Sequence, residues 1–152
     1  MIKNANQIYK KLKIISDEVR ESLRERGIAI PLENPDGSIT LGRYTVYKTG
    51  NFYQIKTHTG EVVLEQINLP HTAIIVANGL ALGKFTNNTI LSLDRSYGYA
   101  VFEEELHHKQ ALKSKDPDWS EMMLEKSRIK KEQKNQYKRA IVKSFEKLNK
   151  FS

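Results

Sequence analysis

The sequence contains no cysteine, which excludes disulfide bonds and metal sites built on thiolates. No apolar run approaches the roughly 18 consecutive residues that a membrane-spanning helix needs. The N-terminal stretch MIKNANQIYKK is polar and lacks the apolar core of a secretory signal peptide. Together these absences predict a cytoplasmic protein of a reducing compartment that has no membrane partner.

Motifs for phosphate binding and nucleophilic catalysis are also missing. The chain has no glycine-rich phosphate loop and no Gly-x-Ser-x-Gly turn. The run Glu103–His108 twice places a Glu three residues before a His, which is the spacing of carboxylate-bridged di-iron bundles. The other two histidines, His58 and His71, do not follow a Glu at this spacing. We interpret the run as a charged helix face, and we predict no enzymatic activity, no metal and no cofactor.

The length of 152 residues fits one domain, or one small domain with a helical appendage. Hydrophobic residues make up 39% of the chain, which is enough to build a core. We predict a first unit over residues 1–86, with helix and sheet, and a second over residues 87–152, which is helical.

The first unit begins with a predicted amphipathic helix over residues 5–26, in which apolar residues recur at spacings of three and four. Residues 28–37 contain two prolines and an Asp-Gly pair and are interpreted as a connector. Apolar residues then alternate with polar ones, which predicts a three- to four-stranded antiparallel meander. Its strands are expected at about 38–48, 52–58 and 61–67, with one apolar face that requires a covering layer.

Residues 70–82 are expected to supply that layer as a short helix, since Asn68 can cap it, Pro70 suits its first turn and Gly83 can end it. The β-branched residues between positions 72 and 78 leave a buried strand as the alternative.

Two long helices follow, over about 89–114 and 117–149. Asp116-Pro117-Asp118 is a strong helix start, and the short link before it predicts an antiparallel helical hairpin. The predicted fold is therefore α+β: an N-terminal helix, the meander, a short covering helix and a C-terminal antiparallel helical hairpin.

The last helix has an apolar seam, which we interpret as an oligomer contact because the chain has more amphipathic helix than one small sheet can cover. The primary functional prediction is a non-enzymatic interaction or assembly protein that self-associates through amphipathic helices, forming a homo-oligomer. The predicted oligomer seam consists of Tyr137, Ile141, Ser144, Leu148 and Phe151.

The same helix is strongly basic, which supports an alternative prediction. The net charge of the chain is +7, and residues 120–152 hold ten Lys and Arg against four Asp and Glu. Such a surface attracts nucleic acid or an acidic protein, although many lysine-rich helices only improve solubility. The alternative function is a non-specific nucleic-acid-binding accessory protein. Its predicted contact residues are Lys126, Arg128, Lys130, Lys131, Lys134, Lys138, Arg139 and Lys143.

The stretch from Gly60 to Lys84 resembles a strand–helix module in small uncharacterised proteins of marine contractile-tailed phages. The segment GEVV followed by LPHTAIIVANGLALGK supports this resemblance, which covers roughly a third of the chain. The resemblance implies a phage or marine-microbe origin, with the host cytoplasm as the location if the protein is encoded by a phage. It implies no activity.

Overall fold

The computed structural model describes residues 31–84 and 87–148, which form an α+β fold of five strands followed by three helices. The predicted N-terminal helix over 5–26 lies outside the described residues. The strands are β1 (Pro31–Glu33), β2 (Ile39–Leu41), β3 (Tyr44–Thr49), β4 (Phe52–Thr57) and β5 (Val62–Ile67), and the helices are α1 (Pro70–Ala81), α2 (Asn88–Lys113) and α3 (Pro117–Leu148).

The five strands form one antiparallel sheet in the order of the chain, β1-β2-β3-β4-β5. The meander is confirmed, but the predicted number of three to four strands is wrong. The predicted connector over 28–37 contains β1, whose Pro31 suits the edge of a sheet because an edge strand needs fewer N–H donors. The predicted strand over 38–48 is divided into β2 and β3.

The division between β2 and β3 is a two-residue turn, Gly42-Arg43, across which Leu41 pairs with Tyr44. Gly42 adopts a φ of 61°, which side-chain-bearing residues rarely adopt. A Cβ atom at this position would also lie 3.0 Å from the Cβ of Ala81 in α1. The turn therefore requires glycine both for its backbone conformation and for the close approach of α1.

β5 departs from regular alternation. Its register against β4 shifts twice, and Gln66 has a φ of 59°. Ile67 pairs with Tyr53, and Leu64 pairs with Ile55, so that Leu64 and Ile67 both reach the core although they lie three residues apart. The strand therefore contains a β-bulge that sends Ile67 into the core immediately before α1 begins.

α1 is confirmed as a helix, and the alternative of a strand at 72–78 is wrong. It lies between the sheet and the base of the hairpin, and it is buried from Thr72 to Asn78. Burial on all sides explains why its sequence is apolar around the whole helix. Gly83, with a φ of 74°, ends the helix as predicted. The predicted cap by Asn68 is wrong, because Leu69 occupies the N-cap position and makes no side-chain cap hydrogen bond.

α2 and α3 form the predicted hairpin, and a side chain caps the N-terminus of each helix. The Asn87 side chain accepts a hydrogen bond from the Ile90 N–H at 3.1 Å, and the Asp116 carboxylate accepts one from the Asp118 N–H at 3.0 Å. The Ser120 hydroxyl donates to the Ala111 carbonyl at 2.9 Å across the turn. The two helices are therefore antiparallel.

The hydrophobic core joins the sheet, α1 and only the base of the hairpin. From α2 it includes residues no later than Tyr97, and from α3 residues no earlier than Ile141. The core thus contains residues from both sides of the predicted boundary at position 86. We call the part of the hairpin between these positions, residues 100–140, the stalk.

Candidate functional site

An open groove lies between the outer edge strand β5 and the first half of α2. Its volume is about 590 Å³. The floor and walls combine apolar side chains from both elements with a few polar groups at the rim. The lining residues are Phe52, Leu64, Glu65, Gln66, Ile67, Asn68, Leu91, Asp94, Arg95, Gly98, Tyr99 and Phe102.

The position of α2 beside β5 depends on the buried carboxylate of Asp94. One oxygen accepts a hydrogen bond from the Leu69 N–H at 2.9 Å, and the other accepts from the Asn68 N–H at 2.8 Å and from the Asn68 side-chain amide at 3.2 Å. The same amide also donates to the Asp94 carbonyl at 3.1 Å. Asp94 therefore places a negative charge at the N-terminus of α1, where the helix dipole favours an anion.

Gly98 lies one turn after Asp94 and makes room for this arrangement. A Cβ atom at Gly98 would lie 2.5 Å from the Asn68 Nδ2 atom and 2.9 Å from its Cγ atom. Asn68 cannot move away without losing its side-chain hydrogen bonds to Asp94. The glycine in the middle of α2 is thus explained by the close approach of the Asn68 side chain.

Two alanine substitutions are expected to have opposite effects for this reason. Gly98→Ala should lower the free energy of unfolding by about 1–2 kcal/mol, since displacing Asn68 outweighs the gain in helix propensity. Gly79→Ala in α1 should raise it by about 0.5–1 kcal/mol, because no described atom outside the helix's own backbone lies within 4 Å of the position of the new methyl group. Urea denaturation of both variants measures the difference. A stabilised Gly98→Ala variant would contradict the assigned role of Asn68.

Beyond the groove, α2 carries a stripe of large apolar side chains that lies outside the core. Tyr99 and Phe102 are each 63% exposed, and Leu106 is 40% exposed. Their spacing of three and four residues places them on one side of the helix. We call these three residues the α2 stripe. It begins at the wall of the groove and continues onto the stalk.

Polar contacts between α2 and α3 hold the stalk together. The Ser127 hydroxyl donates to the Glu104 carbonyl at 3.1 Å, while Lys134 forms a salt bridge with the Glu104 carboxylate at 2.6 Å. Lys130 forms a salt bridge with Glu103 at 3.2 Å. These contacts bridge α2 and α3 along the stalk, where the hydrophobic core no longer reaches.

The eight predicted nucleic-acid contacts fall into two groups. Lys130 and Lys134 are bound to glutamates of α2, and Arg128 pairs with Glu125 and Glu132 of its own helix. The hydrogen bond and charge of Glu125 raise the pKa of Arg128 above its ordinary value. The other five predicted contacts are exposed: Lys126, Lys131, Lys138, Arg139 and Lys143. Of these, Lys138, Arg139 and Lys143 line a shallow depression of about 620 Å³ on the outer surface of α3.

The predicted oligomer seam largely faces the interior of the chain. Ile141 has no exposed surface and belongs to the core, and Leu148 packs against the core. Tyr137 and Ser144 are half-buried, and Phe151 lies outside the described residues. The chain's own core therefore occupies the seam at Ile141 and Leu148, so that these two side chains are not available to a second copy.

His71 is held neutral at the contact between α1 and α3. Its ring meets the Phe145 ring edge to face with centroids 5.1 Å apart, and its Nδ1 atom is buried without a hydrogen-bond partner. Burial, followed by the charge of Lys138, lowers the pKa of His71 from 6.5 to about 4. Protonation of His71 is therefore unfavourable in the folded protein.

This lowered pKa predicts a loss of stability in weak acid. As the pH falls below 6.5, His71 becomes protonated in the unfolded chain. In the folded chain His71 stays neutral until the pH approaches about 4. Stability should therefore be retained above pH 6.5 and should fall by about 1–2 kcal/mol between pH 7 and pH 5, after allowance for partial exposure. His71→Gln should remove this component in urea denaturation at the two pH values, while the exposed His108→Gln variant should keep it. An identical pH dependence in both variants would contradict the assignment.

Residues 31–84 and 87–148 form neither a metal-ion cluster nor a membrane-spanning helix. This part of the chain contains no group of three or more His, Asp or Glu side chains placed to hold a metal ion. Glu104, from the sequence run that resembles a di-iron motif, instead accepts the Lys134 ammonium. None of the helices described has both the length and the apolarity required to cross a membrane.

Comparison with protein-family models, curated proteins and solved structures finds no match to this chain. The resemblance to proteins of contractile-tailed phages therefore stays a prediction. The candidate site rests on the geometry of the groove, the α2 stripe and the basic surface alone.

The sequence reading missed the α2 stripe, although its signal is present. Helical spacing predicts an apolar side made of Ile90, Leu93, Tyr97, Val101, His108 and Leu112. Ile90, Leu93 and Tyr97 do contact the core, whereas Leu112 is 73% exposed. Tyr99, Phe102 and Leu106 form a second apolar series on the same helix, with its own helical spacing. One apolar series of α2 packs in the core, and the second series leaves an apolar surface that the core does not cover.

Proposed function

We propose that this chain is a non-enzymatic interaction or assembly protein that associates with copies of itself through the α2 stripe. The observation that carries the proposal is the exposure of two adjacent aromatic side chains, Tyr99 and Phe102, beside an open groove. Contiguous apolar surface of this kind is typical of interaction sites, and aromatic side chains dominate the binding energy of interfaces.

The contact is therefore placed on α2 rather than on the seam of α3. The seam supplies Ile141 to the core, whereas the α2 stripe has no such role. We still propose self-association through an amphipathic helix, but with the contact on α2 instead of α3.

Sedimentation equilibrium of the full chain tests the proposal. The wild-type protein should form a dimer or a larger species at micromolar concentration, and Phe102→Glu should weaken the association roughly thirtyfold. The matched control is Leu112→Glu, because Leu112 is 73% exposed on the same helix but lies about 120° around it from Leu106. A wild-type monomer at the highest concentrations would refute the proposal, as would an equal loss of association in both variants.

A second candidate function is non-specific nucleic-acid binding by the outer surface of α3. The exposed cluster of Lys138, Arg139 and Lys143 favours it, because no carboxylate of the described residues forms a salt bridge with these cations, which leaves them available to phosphates. Binding to DNA of random sequence should weaken steeply as salt rises, and replacing all three residues with Glu should abolish it. Lys130 and Lys134 are unsuitable for this test, since their reversal would disturb the stalk. Absence of binding at low salt would exclude the function.

A further inference from the structure

The sequence contains one Asn-Gly pair, Asn78-Gly79, and it lies in the last turn of α1. An asparagine followed by glycine is chemically labile, because the backbone nitrogen of the glycine can attack the side-chain carbonyl carbon of the asparagine. Glycine permits this attack readily, since it has no Cβ atom to shield its nitrogen and it adopts more backbone conformations than other residues. The chain therefore carries a pair that is prone to deamidation inside a core helix.

The reaction needs water but no enzyme and no oxidant. A bond forms between the Gly79 nitrogen and the Asn78 Cγ atom, the bond from Cγ to Nδ2 breaks, and the leaving ammonia takes the proton of the Gly79 N–H. The product is a succinimide ring. Water then adds to one of the ring carbonyls and opens the ring, which leaves either aspartate or isoaspartate at position 78.

The folded chain blocks ring closure. The Gly79 N–H belongs to the hydrogen-bond ladder of α1, and closure requires the Asn78 backbone to leave the helical ψ of about −42°. The end of the helix holds this backbone in place, because the Leu82 N–H donates to the Asn78 carbonyl at 3.2 Å and the Lys84 N–H donates to the Gly79 carbonyl at 2.9 Å. Asn78 is also only 6% exposed, which restricts the access of water. The reaction therefore requires α1 to open.

The products do not fit the folded chain. Aspartate at position 78 places a carboxylate in a buried position, where the loss of hydration is costly. It also places a negative charge in the last turn of α1, where the helix dipole disfavours an anion. Isoaspartate adds a methylene group to the backbone and disrupts the helical hydrogen bonds around it. Both products therefore oppose the refolding of α1.

We propose that Asn78-Gly79 is a site of spontaneous deamidation that reacts only while α1 is unfolded, so that opening of the core becomes irreversible with time. The rate of deamidation in the native protein then equals the rate in the unfolded chain multiplied by the fraction of molecules in which α1 is open. Chemical modification of an unfolded state is one of the general routes by which unfolding becomes irreversible.

Peptide mass spectrometry of the full chain after incubation in mildly alkaline buffer measures the conversion, because the acid and the amide differ in mass. Conversion at Asn78 should be at least about a thousandfold slower in native buffer than in concentrated urea, since about 10⁻³ or less of a native population is unfolded. Ile141→Ala, which truncates a fully buried core residue, should accelerate conversion in native buffer about a hundredfold and leave the rate in urea unchanged. The control Leu112→Ala, at a largely exposed position, should change neither rate.

Refolding measures the consequence of the reaction. After incubation in urea and dilution into buffer, the fraction of wild-type chains that recover the circular dichroism of the folded protein should fall in step with conversion at Asn78. Gly79→Ala should lose the fast reaction in urea and keep its ability to refold. Equal rates in buffer and in urea, or an Ile141→Ala rate equal to that of the wild type, would overturn the protection of Asn78 by the fold. Converted chains that refold with wild-type stability would overturn the irreversible loss.

Discussion

Replacing Asp94 with alanine is expected to lower the free energy of unfolding by about 4 kcal/mol, which is a large fraction of the stability of a small domain. The substitution removes the acceptor for the N–H groups of Asn68 and Leu69 and for the Asn68 side chain. Asp94 is only 3% exposed, so that water cannot easily replace the lost acceptor. The variant also loses the negative charge at the N-terminus of α1.

Thermal and urea denaturation measure this effect. For a chain of this size the expected loss corresponds to a fall in the melting temperature of roughly 10 °C or more. Asp94→Asn should retain part of the stability, since an amide oxygen can still accept one or two of the hydrogen bonds. Glu105→Ala, an exposed acidic position on the same helix, should change the stability by less than about 0.5 kcal/mol. Equal stabilities of the Asp94 and Glu105 alanine variants would contradict the role of Asp94.

Ile141→Ala is expected to lower the free energy of unfolding by about 3 kcal/mol. Ile141 has no exposed surface and belongs to the cluster that joins α3 to α1 and the sheet. Truncating a fully buried isoleucine removes its contribution to apolar burial and leaves a cavity that the neighbouring side chains fill only in part. The loss should be the same at low and high protein concentration, because the side chain packs within one chain.

The dependence on concentration distinguishes the core from an oligomer contact. If Ile141 contributed chiefly to a contact between copies, its effect would grow with protein concentration, as binding raises apparent stability by mass action. Leu112→Ala is the matched control, because Leu112 is largely exposed on the facing helix and its truncation should cost little. A loss for Ile141→Ala that disappears on dilution would overturn the placement of this residue in the core.

Much of the helical half of the fold could be predicted because its signals are local. Asp116 and Pro117 mark the start of α3, and Gly83 marks the end of α1, each within a few residues of the boundary. β1 and β2 were harder to predict, since strands of three residues show almost no alternation. The bulge at Gln66 also breaks the alternation on which strand prediction depends.

The candidate site was less accessible to sequence reasoning. Asn68 was expected to cap α1, but its amide instead binds Asp94, which lies 26 positions later in the chain. A contact between residues so far apart in the chain produces no periodic pattern in the sequence. Likewise, the sequence shows that Ile141 and Phe102 are apolar, but only the packing shows that the first is in the core and the second is at the surface.

The bulge in β5 has a consequence for how this chain can change in length. Adding one residue to an alternating strand normally turns every later side chain to the opposite face. In β5 the extra residue is accommodated at Gln66. Gln66 is the one non-glycine residue with positive φ in the part of the chain that the structure describes. Ile67 keeps its inward direction as a result. The end of β5 is therefore a place where evolution or an engineer could remove a residue without reversing the strand.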